Sequence, residues 1–376
     1  MKIGFDAKRA YHNYTGLGNY SRDLIQNLLT YYPDNEYHLY APKMGDNPRF
    51  KFVEQYDNII PHFPESPLHK TFKGLWRSVD LENFLSKDGI EIFHGLSNEI
   101  PMRKKSSSVK HVVTIHDLIF KRFPNTYKKI DRNVYNTKFK YAAQNADKVI
   151  AISEQTKQDI VNFYKVDADK IDVIYQTCHQ NFKEQYSDDF KLKVKRKFNL
   201  PDNYILNVGT IETRKNLNAI LQAIPTMKND LPIVVVGRKT KYMNFLKVQM
   251  EKLKVDPKRF IFLENVSIHE LPSIYQLASV FVYPSVFEGF GIPIIEALYS
   301  RTPVITTAGG CFPEAGGEHS IYVDTNNFEL LGGSIDSLLE NKEQQELMGN
   351  KGLEYVQRFN PSLLTEQLVS VYDKVR

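Results

Sequence analysis

Two doubly wound α/β domains facing a central cleft are predicted by three observations in this 376-residue sequence. Short apolar runs such as VVTIH and VIAIS are continuous rather than alternating, which suits parallel strands buried on both faces. Segments of helical period separate these runs almost from end to end, the signature of a parallel sheet covered by helices. The chain is also longer than one hydrophobic core usually serves, so the rhythm is expected to divide into two Rossmann-like halves. Ligands of such sheets bind outside the carboxyl ends of the strands.

The first half is expected to carry strands at Lys2–Ala7, Tyr37–Ala41, Ile90–His94, His111–His116, Lys148–Ser153 and Ile171–Tyr175. Helices should lie at Gly18–Tyr32, Lys70–Ser86, Tyr127–Asn145 and Glu154–Tyr164. The second half repeats the scheme with strands at Tyr204–Val208, Pro232–Val236, Phe260–Leu263, Val280–Pro284, Pro303–Thr307 and Ile321–Val323. Its helices fall at Asn216–Thr226, Lys241–Leu253, Leu271–Leu277 and Pro293–Tyr299. Beyond Val323 the pattern is wholly helical, through Phe328–Leu339, Glu343–Phe359 and Ser362–Val375. The polar stretch Gln180–Pro201 has no strand-like run and reads as the linker, giving domains over 1–185 and 200–360.

Hydrophobic content of 42% and charged content of 25% are ordinary for a globular protein and exclude a disordered chain or a coiled-coil rod. No apolar stretch approaches the ~18–20 residues that span a bilayer, and MKIGFDAKRA lacks the apolar core of a signal peptide. Cys178 and Cys311 are too few for a disulfide framework or a four-cysteine zinc site. A cytoplasmic protein is expected. The net charge of +5 resides in residues 1–180, where 26 basic residues face 21 acidic ones. The densest stretch includes Arg103, Lys104, Lys105, Lys110, Lys121, Arg122, Lys128, Lys129 and Arg132. Such a face suits an anionic membrane surface or a phosphorylated substrate, and is otherwise simply solvated.

Three glycine-bearing loops follow predicted strands. In Thr15-Gly16-Leu17-Gly18 the glycines serve a tight turn or bring backbone amides to a phosphate, and the residues leave both open. A dinucleotide fingerprint would need a third glycine where Ser21 stands and an acid after YHLYAP, so a nicotinamide cofactor is disfavoured. The second loop runs from Gly209 to Asn216, and its adjacent Arg214 and Lys215 can clamp a diphosphate. Cations in a helix's first turn oppose the helix dipole, which argues for an anionic ligand. The third, PSVFEGFGIPIIEA, carries Glu288 in the loop and Glu296 in what should be the helix's first turn. Amides of Gly289, Phe290, Gly291 and Ile292 lie between the two acids and suit phosphate or sugar oxygens. Helix capping would account for Glu296 but not for Glu288.

These residues carry a resemblance to retaining glycosyltransferases of the GT-B fold, family 4. It rests on PSVFEGFGIPIIEA, HELPSIYQLASVFV, TPVITTAGGCFPEAGG, NVGTIETRKNL, VVTIHDL, ADKVIAISEQTKQDI and TGLGNYSRDL, and does not extend to residues 43–90. The resemblance implies that Glu296 binds the nucleotide ribose, Glu288 the donor sugar, and Arg214 and Lys215 the diphosphate. It further implies that Gly16 and Gly209 approach the donor, that His116 stands beside the transferring sugar, and that helix 361–376 returns to the first domain. Lone histidines elsewhere, such as His38 and His62, read as structural or solvated.

The implied reaction is retaining transfer of a sugar from a nucleoside diphosphate, with GDP-mannose or a UDP-sugar as donor. Arg214, Lys215 and helix N-termini would meet the leaving-group charge without metal or other cofactor. Asp167-Ala168-Asp169 feeds the amino end of a strand, opposite the cleft, and reads as a surface turn. A sugar-nucleotide epimerase, a phosphorylase and a non-catalytic sugar-nucleotide-binding protein are the rival readings. The pattern looks most like bacterial mannosyltransferases of surface polysaccharide synthesis, with no nucleic-acid partner. The acceptor is expected to be a glycan or a polyprenyl-diphosphate-linked sugar at the inner face of the membrane. Trp76, with flanking cations, would rest at that membrane's surface or else lie in the core.

Overall fold

The computed structural model describes residues 1–376, which divide into two compact units. The first comprises Met1–Gln176 together with Phe359–Arg376, and the second Thr177–Arg358.

The first unit is built on seven parallel strands: β1 (Lys2–Asp6), β2 (Glu36–Tyr40), β3 (Ile59–His62), β4 (Ile92–Gly95), β5 (Lys110–Ile115), β6 (Lys148–Ala151) and β7 (Ile171–Val173). Their order, β3-β2-β1-β4-β5-β6-β7, reverses between β1 and β4, which is the switch point of a doubly wound sheet. Val113, Ile115, Val149 and Ala151 are fully buried beneath helices Lys129–Asn145 and Glu154–Tyr164, as continuous apolar runs require. The terminal helix Pro361–Val375 packs on helix Gly16–Tyr31, and its buried Tyr372 hydroxyl lies 2.7 Å from His94 Nδ1 on β4.

Several expectations for this unit need correction. Strand β3 was not anticipated: its IIPH sequence is short, half exposed and contains a proline, which a sheet tolerates at an edge. The single helix expected over Lys70–Ser86 is broken into Pro67–Thr71, Lys73–Leu75, a wide turn at Trp76–Asp80, and Leu81–Lys87. Phe72 has non-helical ψ, and Trp76 opens the wide turn as its one buried residue. Trp76 is 1% exposed among Tyr40, Leu81, Leu85, Ile90 and Phe93. It is a core residue, the second of the two placements the sequence left open, and the membrane-surface alternative does not hold. The basic cluster is also partly internal: Arg122 grips the buried Asp159 carboxylate and Arg103 pairs with Asp147 at 3.1 Å.

The second unit has six parallel strands: β8 (Ile205–Val208), β9 (Ile233–Val236), β10 (Phe260–Leu263), β11 (Val280–Tyr283), β12 (Val304–Thr307) and β13 (Ile321–Val323). Their order is β10-β9-β8-β11-β12-β13, so the switch point lies between β8 and β11. Helices Leu217–Ala223 and Phe328–Glu340 bury Ala219, Ile220, Leu331 and Ile335 against Ile205, Ile233 and Val282. The expected linker is instead part of this unit. Asp188–Phe198 forms a helix with Ser187 as N-cap and left-handed Asn199 as C-cap, and it packs against helix Leu271–Gln276. No helix is long and apolar enough to cross a membrane.

Candidate active site

Two loops leave the switch point of the second unit, one after β8 and one after β11. Gly209 follows β8 with φ of 149°, a backbone geometry that other residues rarely adopt. Arg214 and Lys215 lie in a short 3₁₀ turn, Thr213–Lys215, and left-handed Asn216 separates them from helix Leu217–Ala223. They are therefore not in the first turn of that helix, and the dipole conflict expected from sequence does not arise. The loops are stitched together instead. Val286 N–H donates to Arg214 O at 2.9 Å, and Ser285 Oγ, whose proton goes to Glu288, lies 3.2 Å from the same carbonyl.

Glu288 is the hub of this pair of loops. Its Oε1 accepts from Lys215 Nζ at 2.7 Å, Ser285 Oγ at 2.6 Å and Tyr283 OH at 3.0 Å. Arg214 reaches Oε2 at 2.6 Å while also donating to Phe287 O and to Glu212. Burial acts to raise the Glu288 pKa, but the Lys215 and Arg214 charges outweigh it and hold the carboxyl below its ordinary value. Burial together with the Glu288 charge pushes the Tyr283 hydroxyl far up, so it remains a donor. The cluster contains two cations against one central carboxylate, with Glu212 on its outer side. A diphosphate would find its counter-charges already fixed.

The β11 loop ends at Gly291, φ 125°, the N-cap of helix Ile292–Tyr299. Pro293 occupies its opening turn, and no side chain caps the amides that begin there. This is the terminus to which Gly289, Phe290, Gly291 and Ile292 lead. Phe290 is buried and seats the loop, whereas Gly289 and Ile292 are partly accessible. Glu296 stands in the second turn of the helix, not the first, so it has no capping role. Tyr275 OH donates to its Oε2 at 2.9 Å. Burial pushes its carboxyl up to about 7, and the Tyr275 hydrogen bond and Lys215 charge only partly oppose that. The two glutamates thus differ in state at neutral pH: Glu288 is ionised, and Glu296 is divided between acid and carboxylate.

Gly16 opens the helix Gly16–Tyr31 in the first unit, and a Cβ built there meets no heavy atom within 4 Å. Gly18 is the residue this turn demands, since its Cβ would fall 1.9 Å from Asn13 O. His116 follows β5 and is 5% exposed. Its Nε2 lies 2.9 Å from Leu96 O, so that nitrogen carries the proton, and Nδ1 faces the Gln176 amide at 3.2 Å. Burial lowers its pKa to about 4, holding the ring neutral. Both nitrogens are engaged, so His116 as placed is an oriented neutral ring, not a free base. Tyr20 packs edge-on at 4.6 Å and is fixed by Thr114 Oγ1 at 3.0 Å. Asp167 caps the turn Ala168–Lys170 through Asp169 N–H, before the amino end of β7.

Sequence reasoning missed Tyr283, Ser285, Tyr275 and Gln176. Tyr283 and Ser285 could have been found, because they end and follow the strand that leads to Glu288. Tyr275 and Gln176 meet their partners only through the fold.

A doubly wound unit with this charge cluster at its switch point has the form of an α/β domain that binds an anionic ligand at the carboxyl ends of its strands. Residues 14–178 match the family model "Glycosyltransferase Family 4", and residues 188–355 match "Glycosyl transferases group 1". The chain belongs to these family 4, group 1 glycosyltransferases. It is 24% identical to O-antigen chain mannosyltransferase B of Escherichia coli, with 99% of each chain covered. It is 29% identical to O-antigen chain mannosyltransferase RfbU of Salmonella typhimurium over 66% of this chain and 65% of that one. Anabaena HepE, solved in complex with UDP, superposes over 100% of both chains at TM-score 0.76 and 16% identity, and the fold is GT-B.

Proposed function

We propose that this glycosyltransferase moves mannose from GDP-mannose to a glycan or polyprenyl-diphosphate-linked acceptor in bacterial surface polysaccharide synthesis. The transfer retains anomeric configuration and uses no metal in the chemical step. The observation that carries the donor assignment is the Glu288–Arg214–Lys215 cluster on two stitched loops at the switch point. The names of both bacterial mannosyltransferase relatives support mannose. The UDP complex of the Anabaena protein supports a nucleoside diphosphate and keeps a UDP-sugar as the alternative donor.

In this reading Glu296 receives the ribose hydroxyls, and the amides at Gly289 to Ile292 receive phosphate or sugar oxygens. Arg214 and Lys215 stabilise charge on the departing diphosphate, where the electrostatic demand is greatest. The anomeric carbon–phosphate oxygen bond breaks, the acceptor oxygen bonds to that carbon from the same face, and the acceptor proton passes to the departing phosphate. Glu288 orients the sugar and the two cations. By the resemblance Gly16 would meet the phosphates, a role that the open space at its Cβ position supports, and His116 would stand beside the sugar.

For a membrane-borne acceptor, the contact surface would be the exposed Leu68, Phe72 and Leu75 with Lys70 and Lys73, in place of the buried Trp76. Thermal-shift screening with GDP, UDP and ADP tests the donor, since a ligand at ~100 times its Kd stabilises by ~2.7 kcal/mol. Labelled sugar nucleotide turned over without acceptor would point to an epimerase. NMR of the product anomer tests retention, and binding to anionic vesicles at low salt tests the membrane contact.

A further inference from the structure

Far from the donor loops in sequence, β2 and β3 bring together groups that the proposed reaction does not use. Glu36, His38 and Tyr40 alternate along β2 and therefore share one face of the sheet. On the edge strand β3, His62 lies in register with Tyr40. Asp88 follows the helix Leu81–Lys87. His38, His62 and Asp88 each offer one donor atom, and these atoms lie within 4.8 Å of one another.

The surroundings hold these donors in place. His38 Nδ1 is 2.8 Å from His62 Nε2, with ring planes 13° apart and centroids 5.0 Å apart, so the rings meet edge to edge. His38 Nε2 lies 2.7 Å from Glu36 Oε1, which can only accept, so that nitrogen bears the proton and Nδ1 is left as a lone pair. His62 Nδ1 is 3.4 Å from Asp88 Oδ2, and Tyr40 OH anchors that oxygen at 2.7 Å. A neutral His62 that donates to His38 turns its remaining lone pair toward the Asp88 carboxylate. A cation resolves that opposition. His38 is buried, whereas the His62 and Asp88 side chains are 24% and 21% exposed, so an ion can reach the cluster from solvent.

We propose that His38, His62 and Asp88 bind one divalent transition-metal ion of the zinc class, clamping edge strand β3 to β2 and to the end of helix Leu81–Lys87. Two imidazoles and a carboxylate are a zinc-type donor set, with water completing the coordination. Zinc bonds of about 2.0–2.2 Å put tetrahedral ligand atoms roughly 3.3 Å apart. The histidine pair, now 2.8 Å apart, must therefore open, while the wider pairs of the set, which reach up to 4.8 Å, must close as Asp88 swings in from the Nδ1 side of His62. Glu36 on the far nitrogen of His38, and Tyr40 on Asp88, are the partners that orient metal ligands elsewhere. Because β3 is a short, half-exposed edge strand, the role is structural.

The test is titration of the chelator-treated full-length protein with Co²⁺, followed by displacement with Zn²⁺. One Co²⁺ per chain is expected, with visible bands of a low-coordinate site that Zn²⁺ abolishes, and a higher Tm when loaded. His62→Asn and Asp88→Asn should each weaken binding at least tenfold, and Glu36→Gln about 10–100-fold if its orienting role is as proposed. Far-UV circular dichroism of the metal-free variants should match the parent. Absence of a stoichiometric site in the parent protein, which needs no variant to fold, overturns the proposal. So does unchanged affinity in both His62→Asn and Asp88→Asn.

Discussion

If Glu296 binds ribose as a carboxylate, nucleoside affinity must rise with pH across neutrality. Burial pushes this carboxyl from the ordinary 4.5 up to about 7, and only the Tyr275 hydroxyl bonds to it directly. The ionised fraction is then about one in ten at pH 6 and nine in ten at pH 8. A carboxylate accepts from both ribose hydroxyls, whereas the acid spends one oxygen holding its own proton. Affinity should follow the ionised fraction, so Kd should fall roughly tenfold between pH 6 and pH 8 and level off above it. The assay is calorimetry with the nucleoside of the preferred diphosphate, which has no phosphate to titrate in this window. Glu296→Gln should bind more weakly and show no such slope. A flat wild-type profile, or an equal slope in Glu296→Gln, would refute the assignment. The same shift has a stability consequence of opposite sign. An acid whose folded pKa is raised contributes stability in full below its unfolded value and loses it as pH rises through 7. The ligand-free Glu296→Gln protein should therefore match the parent near pH 5 and exceed it at pH 8, by at most about 3 kcal/mol.

Replacing both Arg214 and Lys215 with Ala should weaken nucleoside-diphosphate binding far more than nucleoside binding, and equal losses would contradict the diphosphate clamp. The double variant should also melt lower, because Glu288 is left largely buried without cations, a situation that costs about 3–5 kcal/mol. Adding Glu288→Gln should restore Tm but not diphosphate affinity. Glu288→Gln alone should reduce kcat more than nucleotide affinity, and a change confined to the donor KM would show that Glu288 contributes only to binding. Gly18→Ala should lower Tm because its Cβ would fall 1.9 Å from Asn13 O, whereas Gly16→Ala, with open space, should leave Tm unchanged and weaken donor binding. Thermal melts with and without nucleotide separate the two.

The doubly wound architecture was legible because its strands are buried on both faces and therefore written as unbroken apolar runs. VVTIH and IVVV became β5 and β9 within a residue at most of the expected bounds. Edge strand β3 was not legible for the converse reason: it is covered on neither face well enough to require such a run. Trp76 was left open between surface and core because flanking cations mark a membrane-surface aromatic only when the ring points outward, and here the ring is buried. At the site, the charged residues could be named because Glu288 had no local purpose, but their pairing could not. That Arg214 and Lys215 meet Glu288 depends on β8 and β11 being neighbours, a fact of sheet order rather than of spacing. The cluster of His38, His62 and Asp88 was hidden similarly, since no motif links residues on β2, on an unforeseen β3 and after a helix.

The placement of Glu288 reconciles two demands that otherwise conflict. A diphosphate site needs fixed cations, yet two cations held side by side without an anion repel each other and destabilise an empty site. Glu288 supplies the anion, with Lys215 on one oxygen and Arg214 on the other. Ser285 and Tyr283 donate to the Lys215-facing oxygen as well, so the carboxylate stays anchored even if an arriving phosphate draws the lysine away. Arg214 likewise keeps its bonds to Phe287 O and Glu212. The cations could therefore turn toward ligand without the loops coming apart, because Val286 N–H holds the Arg214 carbonyl independently of any charge. In the proposed reaction, preorganisation would reside in the backbone stitch and the hydroxyls, leaving the charges free to exchange partners.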